Sequence, residues 1–143
     1  ECRVEGLLRK IPVCYEGVFA PDLPRAAERV GMQIQEFVDA HCAPTYTVAT
    51  VGFAPGFPYL FGLDARLSLP RLATPRVSVP AGSVGIGGSQ TGIYPRSGPG
   101  GWQLIGRTPM ALFNASWITP CIVHAGDQVQ FYPISPAEFD SWT

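Results

Sequence analysis

Residues that could form a ligand-binding site are concentrated between Gly52 and Pro109, where glycine and proline recur every few positions. Glycine lets a ligand approach the backbone closely, while proline fixes φ and removes a hydrogen-bond donor. Alternating them builds rigid, irregular loops, which lose little entropy when they bind a ligand. The candidate substrate-binding residues in these loops are polar or aromatic: Phe57, Tyr59, Arg76, Ser83, Gln90, Tyr94, Trp102 and Arg107.

These candidates have alternative structural roles. Arg76 and Arg107 could each bind a carboxylate through two parallel hydrogen bonds, or could instead tie loop carbonyls together. The sequence leaves both alternatives open. Phe57 and Tyr59 could line a ligand site, although residues of this kind more often pack the end of a barrel.

Three catalytic or nucleotide-binding motifs are not supported. The stretch contains no lysine, so a phosphate-binding P-loop is excluded, and Gly85 and Gly87 do not open the helix that a dinucleotide fingerprint requires. Ser83 follows Gly82 as in a nucleophile elbow, but the glycines after it cannot readily begin a helix. We therefore interpret Ser83 as a turn residue bonded to nearby backbone.

Acid–base and metal-binding residues are sparse. His41 ends an apolar helical stripe and favours a core position, while His124 precedes a turn and could be solvated or functional. Asp64 is the only carboxylate between Asp39 and Asp127, so paired catalytic carboxylates are hard to assemble. No cluster has metal-ligand spacing, and the catalytic residues stay unassigned.

The composition indicates a soluble globular domain. Of the 143 residues, 46% are hydrophobic and only 15% charged, with a net charge of -1. A nucleic-acid surface would need a basic stretch, and a membrane-spanning helix would need about 20 apolar residues; neither is present. With so few charged residues, part of the surface is expected to be apolar, which favours an interface with a partner protein. No pair among the cysteines at 2, 14, 42 and 121 has CxxC spacing, so we expect buried free thiols and a cytoplasmic protein.

Helices are predicted in two regions. Asp22 is a candidate N-cap of a first helix that Gly31 ends, and Pro44 ends a second helix. The second helix carries an apolar stripe with i, i+3, i+4, i+7 spacing: Ile34, Phe37, Val38 and His41. Ser135 and Glu138 have the spacing of a capping box at the start of a short C-terminal helix.

Short strands are predicted elsewhere. They lie within 11–20, at 46–53, and near 77–79, 84–86, 91–94, 102–106, 110–113, 121–123 and 128–132. The last alternates apolar and polar residues, as a half-buried strand does. Many short strands with few charges favour a closed β-barrel over a sandwich, because closure removes exposed edges.

Three long motifs carry a resemblance to a known family. They are GFAPGFPYL from Gly52, RLATPRVSVPAGSVGIGGSQTGIYP from Arg71 and PGGWQLIGRTP from Pro99; GDQVQF from Gly126 is similar to the family's closing strand. From Ile11 to about Phe139 the chain resembles the family that contains the 5-oxoprolinase B subunit, allophanate hydrolase subunit 1 and the Kip inhibitor of a sporulation histidine kinase. Its Gln33 departs from the family habit of Ser or Thr at that helix N-cap.

The resemblance implies a fold and a function. We expect residues 1–143 to form one mainly β, cyclophilin-like closed barrel with one or two short helices. The family's N-terminal α/β domain is apparently absent, so Glu1 is expected to mark a truncation. The implied function is that of a bacterial 5-oxoprolinase subunit which forms the substrate site with a homologous-fold partner subunit.

The implied complex extends beyond this chain. It includes a third subunit and uses ATP, with no cofactor in this chain, which we expect to be inactive alone. The alternatives are an inhibitor of a sensor histidine kinase and half of a urea carboxylase-type carboxyltransferase. The same barrel would serve all three functions, and the sequence does not separate them.

Overall fold

A computed structural model describes residues 8–50, 59–110 and 126–142, except for the side chains of residues 49 and 50. Nine strands and three α-helices lie in these ranges. The strands are β1 (Leu8–Cys14), β2 (Tyr46–Thr50), β3 (Tyr59–Phe61), β4 (Arg76–Val79), β5 (Ser83–Gly87), β6 (Gln90–Ile93), β7 (Gly98–Gly100), β8 (Gln103–Arg107) and β9 (Gln128–Ile134). The helices are α1 (Leu23–Arg29), α2 (Ile34–Cys42) and α3 (Pro136–Asp140).

Seven strands form a closed barrel in the order β1-β8-β5-β6-β3-β2-β9. The barrel closes because β9 pairs in parallel with β1 from Leu8↔Gln128 to Cys14↔Ile134. In β9, Val129 and Phe131 are buried and Gln128 is exposed, as the alternating pattern predicts. Strands β4 and β7 form a separate two-stranded ribbon. The predicted closed barrel is confirmed.

The predicted helices are present, with two differences in detail. Asp22 is the N-cap of α1, but its side chain makes no capping bond. In α2, Phe37, Val38 and His41 are buried, whereas Ile34 is 45% exposed at the first turn. The predicted capping box of α3 is confirmed, because Ser135 Oγ accepts from Glu138 N–H and Glu138 accepts from Ser135 N–H. Within the described residues, no helix is long and apolar enough to cross a membrane.

The predicted strands match the structure to within a few residues where it describes them. The predicted strand at 11–20 runs only to Cys14, and a 3-10 turn at Gly17–Phe19 follows. Strands β3 and β7, with three residues each, were not predicted. The predictions at 121–123 and, apart from Met110, at 110–113 lie outside the described residues.

The barrel interior holds the main core, which includes Ile11, Tyr46 and Phe131. A second, smaller cluster contains Val79, Tyr94, Trp102 and Leu104. Of the cysteines in the described residues, Cys14 is free and buried, and Cys42 is free and partly buried. The candidate site lies at the smaller cluster.

Candidate functional site

Three of the predicted site residues, Tyr59, Tyr94 and Trp102, line one pocket of about 320 Å³. We call it the aromatic pocket. Its remaining lining residues come from two loops and the ribbon: Arg71, Leu72, Pro75, Pro99, Gly100 and Gly101. Proline and glycine thus contribute much of the wall, as the Gly/Pro-rich sequence suggested.

The strand order of the barrel brings the three aromatic rings together. Tyr59 begins β3 and pairs with Gly92 of β6, which Tyr94 closely follows. Trp102 directly precedes β8, which pairs with β5. The Trp102 ring lies edge-on to both tyrosines, with centroid separations of 6.0 Å to Tyr59 and 6.5 Å to Tyr94. Such edge-to-face contacts favour fixed ring positions.

Glycines leave the space that the rings occupy. A Cβ atom at Gly87 would overlap the indole of Trp102, and one at Gly100 would overlap the phenol of Tyr94. Gly85 also leaves little room, since its Cβ would lie 3.1 Å from the Trp102 Cβ. These glycines were not among the residues predicted for the site, although the density of glycine signalled close packing in this region.

The aromatic pocket has one cationic residue, Arg71, which was not among the predicted site residues. Arg71 is exposed and lies near the buried Tyr94 phenol. Burial raises the pKa of Tyr94. A hydrogen bond from the Trp102 backbone and the positive charge of Arg71 lower this pKa, but by less than burial raises it. Tyr94 is therefore a neutral phenol at physiological pH, beside a guanidinium.

The lining of the aromatic pocket is aromatic and cationic. Among its described lining residues there is no carboxylate, histidine, cysteine or aliphatic hydroxyl. No group of three or more possible metal ligands occurs within the described parts of the chain. Aromatic faces, a phenol and a guanidinium can together hold a flat ring that carries a negative charge.

Arg76 lies outside this lining and binds a carboxylate of the protein itself. Its guanidinium donates to both Asp22 oxygens, at 2.8 and 2.9 Å. Burial alone would raise the pKa of Asp22, but the bonds from Arg76 and from the Leu104 N–H lower it overall. This partly buried salt bridge fixes the ribbon against the start of α1. A substrate contact of Arg76 stays a prediction.

The other predicted residues lie in different places. Arg107 Nε donates to the Ala81 carbonyl at 3.0 Å, and Arg107 lines a separate pocket of about 320 Å³ on another side of Tyr94. Ser83 Oγ donates to the Pro80 carbonyl at 2.7 Å, as expected for a turn residue. Gln90 begins β6 and is not part of the aromatic pocket lining. Phe57 lies outside the described residues, as does His124. Substrate binding by Arg107, Ser83, Gln90 and Phe57 stays a prediction.

His41 occupies a closed polar network inside the barrel, in agreement with the predicted core position. Tyr15 Oη lies 2.7 Å from His41 Nδ1, and Thr91 Oγ1 lies 3.0 Å from Nε2. Because Thr91 donates its own proton to the Gly85 carbonyl, it must accept from Nε2–H, and Nδ1 then accepts from Tyr15. Burial lowers the pKa of His41 to about 3, so the ring is neutral.

Comparison with known proteins identifies similar chains. Residues 3–123 match the family described as carboxyltransferase domain, subdomain C and D. The 5-oxoprolinase B subunit of Bacillus subtilis is 50% identical over 133 residues, which are 93% of this chain and 55% of that protein. Its counterpart in Escherichia coli O157:H7 is 49% identical over 129 residues, or 90% of this chain and 59% of that protein.

Solved structures show the same fold. A conserved uncharacterized protein from Pyrococcus horikoshii superimposes with a TM-score of 0.89 at 48% identity, covering 92% of this chain and 61% of that one. The Kluyveromyces lactis urea amidolyase superimposes with a TM-score of 0.78 at 23% identity, covering 96% of this chain and 10% of that one, which shows the fold alone. The chain spans 55% and 59% of the two 5-oxoprolinase relatives. With its barrel and its motifs matched over residues 3–123, the chain belongs to the family of carboxyltransferase domains, subdomain C and D.

Proposed function

We propose that this chain is part of the B subunit of a bacterial, cytoplasmic, ATP-dependent 5-oxoprolinase. In this proposal its aromatic pocket forms the substrate site together with a homologous-fold partner subunit. The observation that carries the proposal is a preformed pocket with three aromatic residues and one cation, and with no carboxylate, histidine, cysteine or aliphatic hydroxyl among its described lining residues. It occurs in a chain 50% identical to a protein named as the 5-oxoprolinase B subunit.

The chemistry of 5-oxoproline fits the lining of the aromatic pocket. The substrate is a small cyclic amide with one carboxylate. In the proposed pose its ring packs on Trp102, its carboxylate pairs with Arg71, and its carbonyl accepts a hydrogen bond from the neutral Tyr94 phenol. These contacts orient the lactam but supply neither a nucleophile nor an acid–base pair.

The missing catalytic groups come, in this proposal, from the rest of the complex. A homologous-fold second subunit, and a third subunit if the complex has one, would contribute the reacting groups and the ATP chemistry. This chain holds no cofactor of its own in the proposal and is inactive alone. The names of three curated relatives support a multisubunit assembly, since each of these three is named a 5-oxoprolinase B subunit.

The test is reconstitution of the full-length protein with its companion subunits. We expect 5-oxoproline-dependent ATP hydrolysis, and we expect Trp102→Ala to reduce kcat/KM by about tenfold or more through loss of the ring contact. Trp142→Ala is the matched control, because Trp142 is 39% exposed and lies beyond α3. Full activity of Trp102→Ala in a folded complex would exclude the aromatic pocket as the substrate site.

A second candidate is half of a urea carboxylase-type carboxyltransferase. The observation that favours it is a 42% identity over 66 residues to the urea amidolyase of Saccharomyces cerevisiae, covering 43% of this chain and 4% of that protein. This function requires a biotin-carrying partner, so co-purification of a biotinylated protein would favour it over the oxoprolinase. Co-purification of a sensor kinase would instead favour the inhibitor alternative.

A further inference from the structure

Three arginines surround a cleft of about 350 Å³ that adjoins the aromatic pocket. Arg25 and Arg29 reach it from α1, and Arg71 reaches it from the loop that follows Pro70. We call it the arginine cleft. Arg71 and Leu72 line both cavities, so one loop separates them.

The positive charge of the arginine cleft is largely uncompensated. No carboxylate occurs among its lining residues, and within the described parts of the chain neither Arg29 nor Arg71 forms an ion pair. Arg25 contacts Asp22 at 3.3 Å, yet its side chain is 73% exposed.

Asp22 does not neutralise the arginine cleft, because its shorter hydrogen bonds are to groups outside the cleft lining. Its carboxylate accepts shorter bonds from Arg76, at 2.8 and 2.9 Å, and from the Leu104 N–H, at 2.7 Å. Arg25 can therefore turn towards a ligand while Asp22 stays fully bonded. Three guanidinium groups are then available in a chain whose net charge is only -1.

The backbone that carries these arginines is fixed before any ligand binds. On one side of Arg71, the Pro70 carbonyl accepts from Gln103 Nε2 at 3.0 Å. On the other side, the Leu72 N–H donates to the Gly101 carbonyl at 2.7 Å. The start of α1 is fixed in turn by the Asp22 N–H, which donates to the Leu104 carbonyl at 3.0 Å. A fixed frame lowers the entropy cost of binding.

We propose that the arginine cleft binds a phosphate-bearing small molecule. Planar guanidinium groups match phosphate oxygens bidentately, and a lone carboxylate would occupy only one of the three. Arg25 and Arg29 are four residues apart on a helix, with Cβ atoms roughly 5–6 Å apart, so each can reach one of two linked phosphates. A cleft of about 350 Å³ also has room for more than one phosphate group. The binding is a property of this chain alone and does not require the proposed function.

The experiment is a calorimetric titration of the chain with pyrophosphate at fixed ionic strength, because salt screens exposed charges. We expect saturable binding with one site per chain. Arg29 lines the arginine cleft and does not line the aromatic pocket, and Arg29→Gln is expected to weaken pyrophosphate binding by about tenfold, the effect of losing one charge-assisted contact. Arg66→Gln is the matched control, since Arg66 pairs with Asp64 and does not line the cleft.

Parallel titrations with adenosine diphosphate identify the source of the phosphate. Tighter binding of the nucleotide than of pyrophosphate would indicate a nucleotide, and equal binding would indicate a free polyphosphate; both support the proposal. Non-saturable binding, or equal weakening by Arg29→Gln and Arg66→Gln, would show a general charge effect and overturn it. Tighter binding of an acidic peptide or RNA than of either small molecule would also overturn it.

Failure of the proposed function can be told apart from failure of this inference. Trp102→Ala is expected to lower kcat/KM of the complex by about tenfold or more while leaving pyrophosphate binding unchanged. Arg29→Lys, which keeps the charge but loses the planar group, is expected to bind pyrophosphate with intermediate affinity. Thermal unfolding of each variant establishes that it is folded before titration.

Discussion

The barrel interior around His41 and the aromatic pocket both contain tyrosines beside a nitrogen-rich side chain, yet their chemistry differs. Inside the barrel, both His41 nitrogens are bonded, the ring is fully buried and its lowered pKa keeps it neutral. In the aromatic pocket, the exposed Arg71 lies beside Tyr94 at a cavity of about 320 Å³. A histidine is thus structural here, and the residues available to a ligand are an arginine and aromatic rings.

The difference between the two regions shows that residue type alone is a weak guide to function. His41, Cys42 and Tyr15 could perform acid–base or thiol chemistry in another setting. Here burial raises the pKa values of Cys42 and Tyr15, and Cys42 Sγ donates to Tyr15 Oη at 3.3 Å. Each group is held in its neutral form. The two regions therefore differ in accessibility: a ligand can reach the aromatic pocket, whereas the groups around His41 are buried.

The largest expected effect is on stability, from His41→Ala. The variant leaves a cavity in the core and removes one hydrogen-bond partner from each of the buried side chains Tyr15 and Thr91. We expect the free energy of unfolding to fall by about 3–5 kcal/mol, measured by urea denaturation. The exposed Arg71→Gln should change it by less than about 0.5 kcal/mol. Equal losses in both variants would remove the distinction between the two regions.

The pH dependence of stability tests the same network. Below the unfolded histidine pKa of about 6.5 the unfolded chain binds a proton that folded His41, with a pKa of about 3, does not. Stability is therefore fully present above that pH and falls by about 1.4 kcal/mol per pH unit between about pH 6 and pH 4. Urea denaturation across this range measures the slope.

A His41→Gln variant is the control for this slope. Glutamine does not titrate, so its stability should vary less with pH over the same range. Asp22 does not affect the comparison. Because its pKa is lowered in the folded state, Asp22 makes the free energy of unfolding depend on pH only below about pH 4. An unchanged slope in His41→Gln would show that other groups cause the acid sensitivity.

Two glycines of the ribbon allow a matched test of the aromatic pocket. A Cβ atom at Gly100 would overlap the Tyr94 ring, whereas one at Gly98 would meet nothing within 4 Å. We expect Gly100→Ala to displace Tyr94 and lower kcat/KM of the reconstituted complex by about tenfold, since misplaced contacts are costly. Gly98→Ala should retain activity. Equal activity of the two variants would show that the position of Tyr94 does not matter.

Much of the fold could be predicted from the sequence, since local patterns specify it. Alternating residues marked β9, the apolar stripe marked α2 and the capping box marked α3, and all three are confirmed. The three-residue strands β3 and β7 are too short to show a periodic pattern. They form because neighbouring strands offer backbone partners, which only the folded barrel supplies.

For the candidate site, the sequence predicted several of the residues but not their arrangement in space. Tyr59, Tyr94 and Trp102 were selected as rigid-loop aromatics, but their convergence depends on the order of strands around the barrel. The partner of Arg76, Asp22, is 54 residues away, and no sequence pattern connects the two. The sequence does not single out Arg71, because nothing in its neighbourhood distinguishes it from an ordinary surface arginine.

The smallest expected effect comes from Arg71→Lys, which tests whether binding at the aromatic pocket needs the planar guanidinium or only the positive charge. Lysine keeps the positive charge but cannot bind a carboxylate in a planar fork. We expect KM for 5-oxoproline to rise by about threefold to tenfold with kcat little changed, because ground-state and transition-state binding are lost equally. Steady-state kinetics of the complex measure the split, and Arg66→Lys is the control. A fall in kcat at constant KM would mean that Arg71 acts on the reacting atoms, and the aromatic pocket would then take part in catalysis.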